Sequence, residues 1–134
     1  MMPAALSLRY DKRAAAAVEF ALVAPVFLAL LFAIMQFGMA AYARAGVQHA
    51  VTAGARYASI YPRPTVTQVK DKVRSSAYGL NPAQIVDPTV SLTTRNALEV
   101  YDIQMGYTVR IKFIFFEAQP FTISEHQIAY VVPQ

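Results

Sequence analysis

Cysteine is missing from the chain altogether. That absence excludes disulfides, thiol catalysis and zinc–thiolate sites, and leaves the redox compartment open. Charge is scarce as well: 15% of residues are charged, against roughly 25% in typical soluble domains. The deficit lies mostly ahead of Tyr61. The net charge of +4 is spread over scattered Lys and Arg, with no run of five or more, so there is no electrostatic footprint for nucleic acid. Gly-rich phosphate loops and a Gly-x-Ser-x-Gly elbow are absent. The two histidines, His49 and His126, are distant in sequence and have neither HExxH spacing nor an acidic cluster nearby. His49 reads as a packing or surface residue because partner ligands are missing. Asp102, Glu117 and Glu125 fall among the C-terminal apolar segments, and nothing marks them as a catalytic pair. The reading is therefore non-catalytic, with no metal, no cofactor and no small-molecule substrate.

What the chain has in plenty is apolar side chains, 56% of the total. Its 134 residues suffice for one domain, but a long apolar run takes part of that length. From Phe20 to Ala43 there are 24 consecutive residues without a charge. As a helix this run spans about 36 Å, enough for a hydrocarbon core of about 30 Å with some tilt. Pro25 sits near its start, where the freed carbonyl can be satisfied by neighbours or water. Arg9, Lys12 and Arg13 precede the run against Asp11 alone, and Arg44 and Arg56 follow it. The basic excess on the short N-terminal flank predicts a cytoplasmic N-terminus and an exported remainder. A competing reading is a secretory signal cut after Ala43, since Ala41-Tyr42-Ala43 has the small-x-small pattern; the apolar stretch is longer than such signals use.

Glu19 stands at the edge of this run. A carboxylate in a membrane helix costs about 2.5–3.5 kcal/mol at the centre and less toward an interface, so it either snorkels or serves a purpose. Position 15 lies four residues earlier, on the same helical face. A cut after Ala14 would place the new amine of Ala15 near Glu19, or near the Glu19 of another copy, and the helix N-terminus would favour the anion. Ala17, Ala21, Pro25, Ala29 and Ala33 recur every four residues, a row that permits close helix packing in lipid. The row drifts by about 40° per step and so wraps round the helix; alanine being common here explains it equally well. Gly38, Gly46 and Gly54 recur every eight residues and mark tight packing, a bend, or the exit from the membrane.

A short basic leader ending in Lys12-Arg13-Ala14, then Ala15-Ala16-Ala17-Val18-Glu19-Phe20 opening a long apolar helix, resembles the prepilin pattern of type IV pilus and type II secretion proteins. Glu19-Phe20 followed by Ala21-Leu22-Val23-Ala24-Pro25 is similar to the TadE-like pseudopilins of the tight-adherence (Tad/Flp, type IVb) pilus system. Gln36-Phe37-Gly38, Tyr42-Ala43-Arg44, Gln48-His49-Ala50 and Ala53-Gly54-Ala55-Arg56-Tyr57-Ala58 continue the likeness, which covers about residues 12–61. The family has Gly before the cut where this chain has Ala14. The resemblance implies a minor pilin that takes part in pilus assembly, with the membrane, other pilins, the Tad machinery and a prepilin peptidase as partners. It also implies cleavage between Ala14 and Ala15, and Glu19 pairing with the mature amine to set subunit register. Two alternatives are an unprocessed single-pass assembly factor and a membrane-tethered periplasmic ligand-binding domain.

The remaining residues predict an α+β, pilin-like fold. One helix runs from about Ala15 to Ser59, with Ala43, Val47, Val51, Gly54 and Ala58 on one face, and is ended by Tyr61-Pro62-Arg63-Pro64. Thr65-Val66-Thr67-Gln68 reads as a capping box opening a short second helix, with Val66, Val69, Val73 and Ala77 as its buried stripe and Gly79 as its C-terminal cap. Val90 and Leu92 suggest a short first strand. Ile103, Met105, Tyr107, Val109, Ile111, Phe113 and Phe115 alternate strictly in a second. Phe121, Ile123, Ile128, Tyr130 and Val132 make a third, and the odd spacing of Ile123 and Ile128 calls for a bulge near Ser124–Gln127. The three strands form an antiparallel sheet that the helices must cover. Phe113-Ile114-Phe115-Phe116 is apolar on both faces, which demands either a covering loop from residues 80–100 or a partner. The organisation expected is a cytoplasmic leader (1–14), a transmembrane helix (15–43), its exported continuation (44–61) and a small head (62–134).

Overall fold

The computed structural model describes residues 12–112 and 117–131. The chain is α+β: a 47-residue helix α1 (Lys12–Ala58), a 10-residue helix α2 (Val66–Ser75), a 3₁₀ turn (Pro82–Gln84), and strands β1 (Ile85–Arg95), β2 (Leu98–Val109) and β3 (Phe121–Tyr130). The strands form one antiparallel meander in the order β1-β2-β3. Two units are distinct, residues 1–37 and residues 38–134. The described part of the first is helix alone, with its large apolar side chains from Val18 to Phe37 exposed except Phe32, which is half-buried. The second is the head, which holds the core.

The head is built on the helical stripe that the sequence predicts. Ala43, Val47, Ala50, Val51, Ala55 and Ala58 of α1 are buried with Tyr101, Ile103, Met105, Tyr107 and Val109 of β2, Val69 and Val73 of α2, and Leu80. Small residues dominate the helix side, so neighbouring segments come close. A methyl group at Gly54 would lie 2.2 Å from Cγ2 of Val73, and one at Gly46 would lie 3.0 Å from Cδ2 of Leu80, whereas Gly38 has nothing within 4 Å. Two of the three glycines spaced by eight are thus packing sites.

The Thr65 hydroxyl accepts from the amide of Gln68, and the Gln68 side chain accepts from the amide of Thr65, so the capping box is complete. The far end of α2 departs from expectation. Ser76, not Gly79, is the C-cap, its amide bonding back to Lys72 and Val73. Gly79 takes positive φ (72°) three residues later, in the turn that brings Leu80 back onto α1. The segment between the helices is tied to β2: the Tyr101 hydroxyl donates to the carbonyl of Pro64, and Arg63 pairs with Glu99 at 2.7 Å while lying 5.8 Å from the Tyr101 ring centre.

The sheet differs from expectation in three ways. β1 is long, not short, and residues expected as a covering loop form the β1–β2 hairpin instead. Its two turn residues, Asn96 (φ 52°) and Ala97 (φ 63°), are both left-handed, the geometry that matches strand twist in a two-residue turn. The bulge lies in β1, where the register shifts between Val86 and Thr89, while β2 and β3 pair without interruption from Val109↔Phe121 to Val100↔Tyr130. Pro88, lacking an amide, sits in that bulge on an edge strand, where proline is tolerated. Its neighbour Asp87 is exposed and clamped by Lys70 (2.6 Å) and Arg74 of α2. Finally, the unbroken register puts Ile123, Glu125, Gln127 and Ala129 on the helix side and Ile128 and Tyr130 on the other. The helix side of β3 accepts polar residues because α1 answers them: Arg44 pairs with Glu125 at 2.9 Å, and the Thr52 hydroxyl donates to Gln127 at 3.1 Å. Phe113, Ile114, Phe115, Phe116 and Val132 lie outside the described residues.

Two expected outcomes follow. Gly54→Val forces two methyl-bearing branches into the buried Val73 contact and lowers unfolding stability by about 1–3 kcal/mol, whereas Gly38→Ala in open space raises it by up to about 1 kcal/mol; denaturant titration in detergent micelles reads both. Hydrogen bonds from Lys70, then Arg74, hold the Asp87 carboxyl below its ordinary value of 3.8. Its folded-state pKa is therefore the lower one, so the clamp's contribution is present above the unfolded value and fades as pH falls through the native one. The stability gap between the parent chain and Asp87→Asn should close on acidification over that range.

Candidate functional site

The candidate site is the N-terminal half of α1. The Ala14–Ala15 bond lies within the helix, and Ala14, Ala15, Ala17, Glu19, Ala21, Pro25 and Ala29 are exposed, with Ala33 half-buried. Positions 15 and 19 share a helical face at one-turn spacing, but no second element is brought to them. Among the described residues Glu19 has no ion-pair partner; the amine that would pair with it is a peptide nitrogen in the intact chain. Pro25 lacks the amide that would bond the carbonyl of Ala21. A backbone acceptor is therefore freed beside the small-residue row, where close approach of another helix is easiest.

The exposure of this half is not that of a soluble helix. Phe20 is 73% exposed and Phe37 80%, and the helix is long and apolar enough to cross a membrane. Contiguous apolar surface of that extent marks a membrane or protein contact. Glu19 is its single carboxylate between Phe20 and the basic flank at Lys12 and Arg13.

The C-terminal half of the same helix does different work. His49 donates from Nδ1 to the carbonyl of Ser76 at 3.3 Å, tying α1 to the end of α2. Arg44 and Thr52 engage β3 as described, and the Ser59 hydroxyl donates to the carbonyl of Ala55, with the Tyr130 carbonyl at 3.4 Å as a further acceptor. The reading of His49 as a packing residue fits this contact. The ties of Arg44 and Thr52 carried no sequence signal, because their partners are 81 and 75 residues away.

A shallow cleft of about 310 Å³ lies between α1 and β3, lined by Gln48, Val51, Thr52, Glu125, His126 and Gln127. Its polar groups are largely engaged: Thr52 with Gln127, Glu125 with Arg44, and His126 with Asp102 at 2.7 Å. Among the described residues no group of three or more His, Asp or Glu is gathered to hold a metal ion.

The class defined by these observations is a helix able to cross a membrane, carrying an acid near its start and leading into a small α+β head. Residues 14–56 match the model of the family described as TadE-like protein, so this segment is similar to that family. The match begins at Ala14 and takes in Glu19, the small-residue row, and the packing stripe as far as Arg56. No curated protein and no solved structure matches the chain.

Proposed function

We propose that the protein is a TadE-like pseudopilin, a non-catalytic minor pilin that takes part in assembling a Tad-type pilus for adherence or secretion. The observation that carries this reading is the coincidence of the family match with the uncovered apolar half of α1. An apolar helical half that no other described element covers needs lipid first and other helices later, which is the path of a subunit drawn from a membrane into a fibre. In this reading the N-terminus is cytoplasmic and the head is exported, as the flanking Arg and Lys favour. The leader 1–14 is removed by a prepilin peptidase. The amine of Ala15 then meets Glu19 of its own or a neighbouring copy, and Ala17, Ala21, Pro25, Ala29 and Ala33 form the packing row. Desolvated in lipid, that ion pair is strong only when both partners are present, which makes it a register device.

Intact-mass measurement on the membrane-extracted protein, with and without the peptidase, tests the processing. Residues 15–134 are expected with the enzyme and full length without it. Full length in both would leave a single-pass assembly factor, and residues 44–134 would mean secretion of a cleaved head. Glu19→Gln keeps shape and removes charge: it should retain membrane insertion and abolish incorporation into pili, and normal pili in that variant would refute the pairing.

A further inference from the structure

The head's own end nearest Gly38 carries three exposed aromatic side chains and an exposed arginine, and the sequence ties that end to the membrane boundary. Tyr42 is 62% exposed and its hydroxyl abuts Gly79; the adjoining Tyr78 is 75% exposed. Leu80 packs on Gly46, so the whole 78–80 turn sits against the first turns of the head's helix. The sheet supplies the rest. Arg44 meets Glu125 near the middle of β3 and Ser59 meets Tyr130 at its end, so β3 runs alongside α1 in the same direction. Phe121, at the opposite end of β3, therefore lies at the Gly38 end, together with its register partner Val109 and the following Arg110. Phe121 and Arg110 are both exposed, and Arg110 has no ion pair among the described residues.

The uncharged run Phe20–Ala43 overlaps the head's first six residues, 38–43. A hydrocarbon core of about 30 Å consumes about 20 helical residues. Counted from Phe20, it ends near Met39, and Tyr42 falls within about 5 Å of that boundary. Ala43 is already in the head's core. The head thus begins where the bilayer's polar layer begins, with no spacer between. Tyrosines, which have an apolar body and a polar tip, favour that layer, and an arginine there is attracted to anionic lipid.

We propose that this end of the head is a lipid-contact surface, on which Tyr42, Tyr78, Phe121 and Arg110 seat the head in the headgroup layer of an anionic bilayer before assembly. The proposal rests on the reading of α1 as a membrane span. Extraction of the subunit must then break a protein–lipid contact as well as withdraw a helix.

The chain contains no tryptophan, so single indoles report unambiguously. Three variants of the full-length chain are reconstituted in anionic vesicles whose acyl chains carry bromine near the headgroup: Phe27→Trp within the span, Tyr78→Trp at the proposed contact, and Tyr61→Trp at the far end of the head. Tyr78 and Tyr61 are similarly exposed, 75% and 77%, so each indole replaces a side chain that already stands at the surface. Quenching at positions 27 and 78 but not 61 is the expected result. Quenching at 27 alone would overturn the proposal and leave the membrane span intact. Quenching at 27, 78 and 61 would mean that the head lies flat, and would overturn seating by this end. No quenching at 27 would remove the span itself, and the proposal with it.

Discussion

Burial of one sheet face beneath α1 is the constraint on which the head depends. Three antiparallel strands cannot stand alone in water, and here the cover comes from the same helix that carries the uncovered apolar run. Ala43, Val47, Ala50, Val51, Ala55 and Ala58 present a low, nearly featureless helical surface, and the larger side chains of β2 fill against it. Glycine where α2 and the 78–80 turn come closest lets a second layer approach. The C-terminal part of α1, from Ala43 to Ala58, is itself one wall of the head's core.

The family match acquires a physical meaning from this division. Its first part is a surface that α1 offers to something outside the chain, and its second part is the surface on which the head is assembled. Both are written in small residues: in the first they lie largely exposed on the helix, and in the second they are packed against Val73 and Leu80.

Much of the architecture was legible because local chemistry and periodicity agree. The stripe on α1, the capping box at Thr65 and Gln68, and the alternation from Ile103 to Val109 each name their element without long-range information. The failures have a common cause, which is that the answer lay across the fold. The β1–β2 turn was hidden because Asn96-Ala97 lacks the glycine that usually announces such a turn. β3 was expected to bulge because Ile123 and Ile128 are oddly spaced for two residues of one inward face; instead Glu125 and Gln127 stay on the helix side, where Arg44 and Thr52, far away in sequence, make them acceptable. Gly79 has the left-handed backbone expected of a cap but serves a turn, since Ser76 had already ended α2. Of the site, the sequence named Glu19 and the row from Ala17 to Ala33, and in the structure they lie along one helix, exposed apart from the half-buried Ala33. The amine that would face Glu19 belongs to a different covalent state of the chain and has no counterpart in the intact fold.

The polar lining of β3 bears on how such molecules coexist. An outermost strand with open amides and carbonyls invites another strand to join it, and inward-pointing charge is one of the ways proteins discourage this. Glu125 and Gln127 are committed to Arg44 and Thr52, so an incoming strand would meet an edge pinned to its own helix and bearing ionic groups where an amyloid-like ladder wants dry contact. Two copies of the head meeting at this edge therefore find it closed to strand addition.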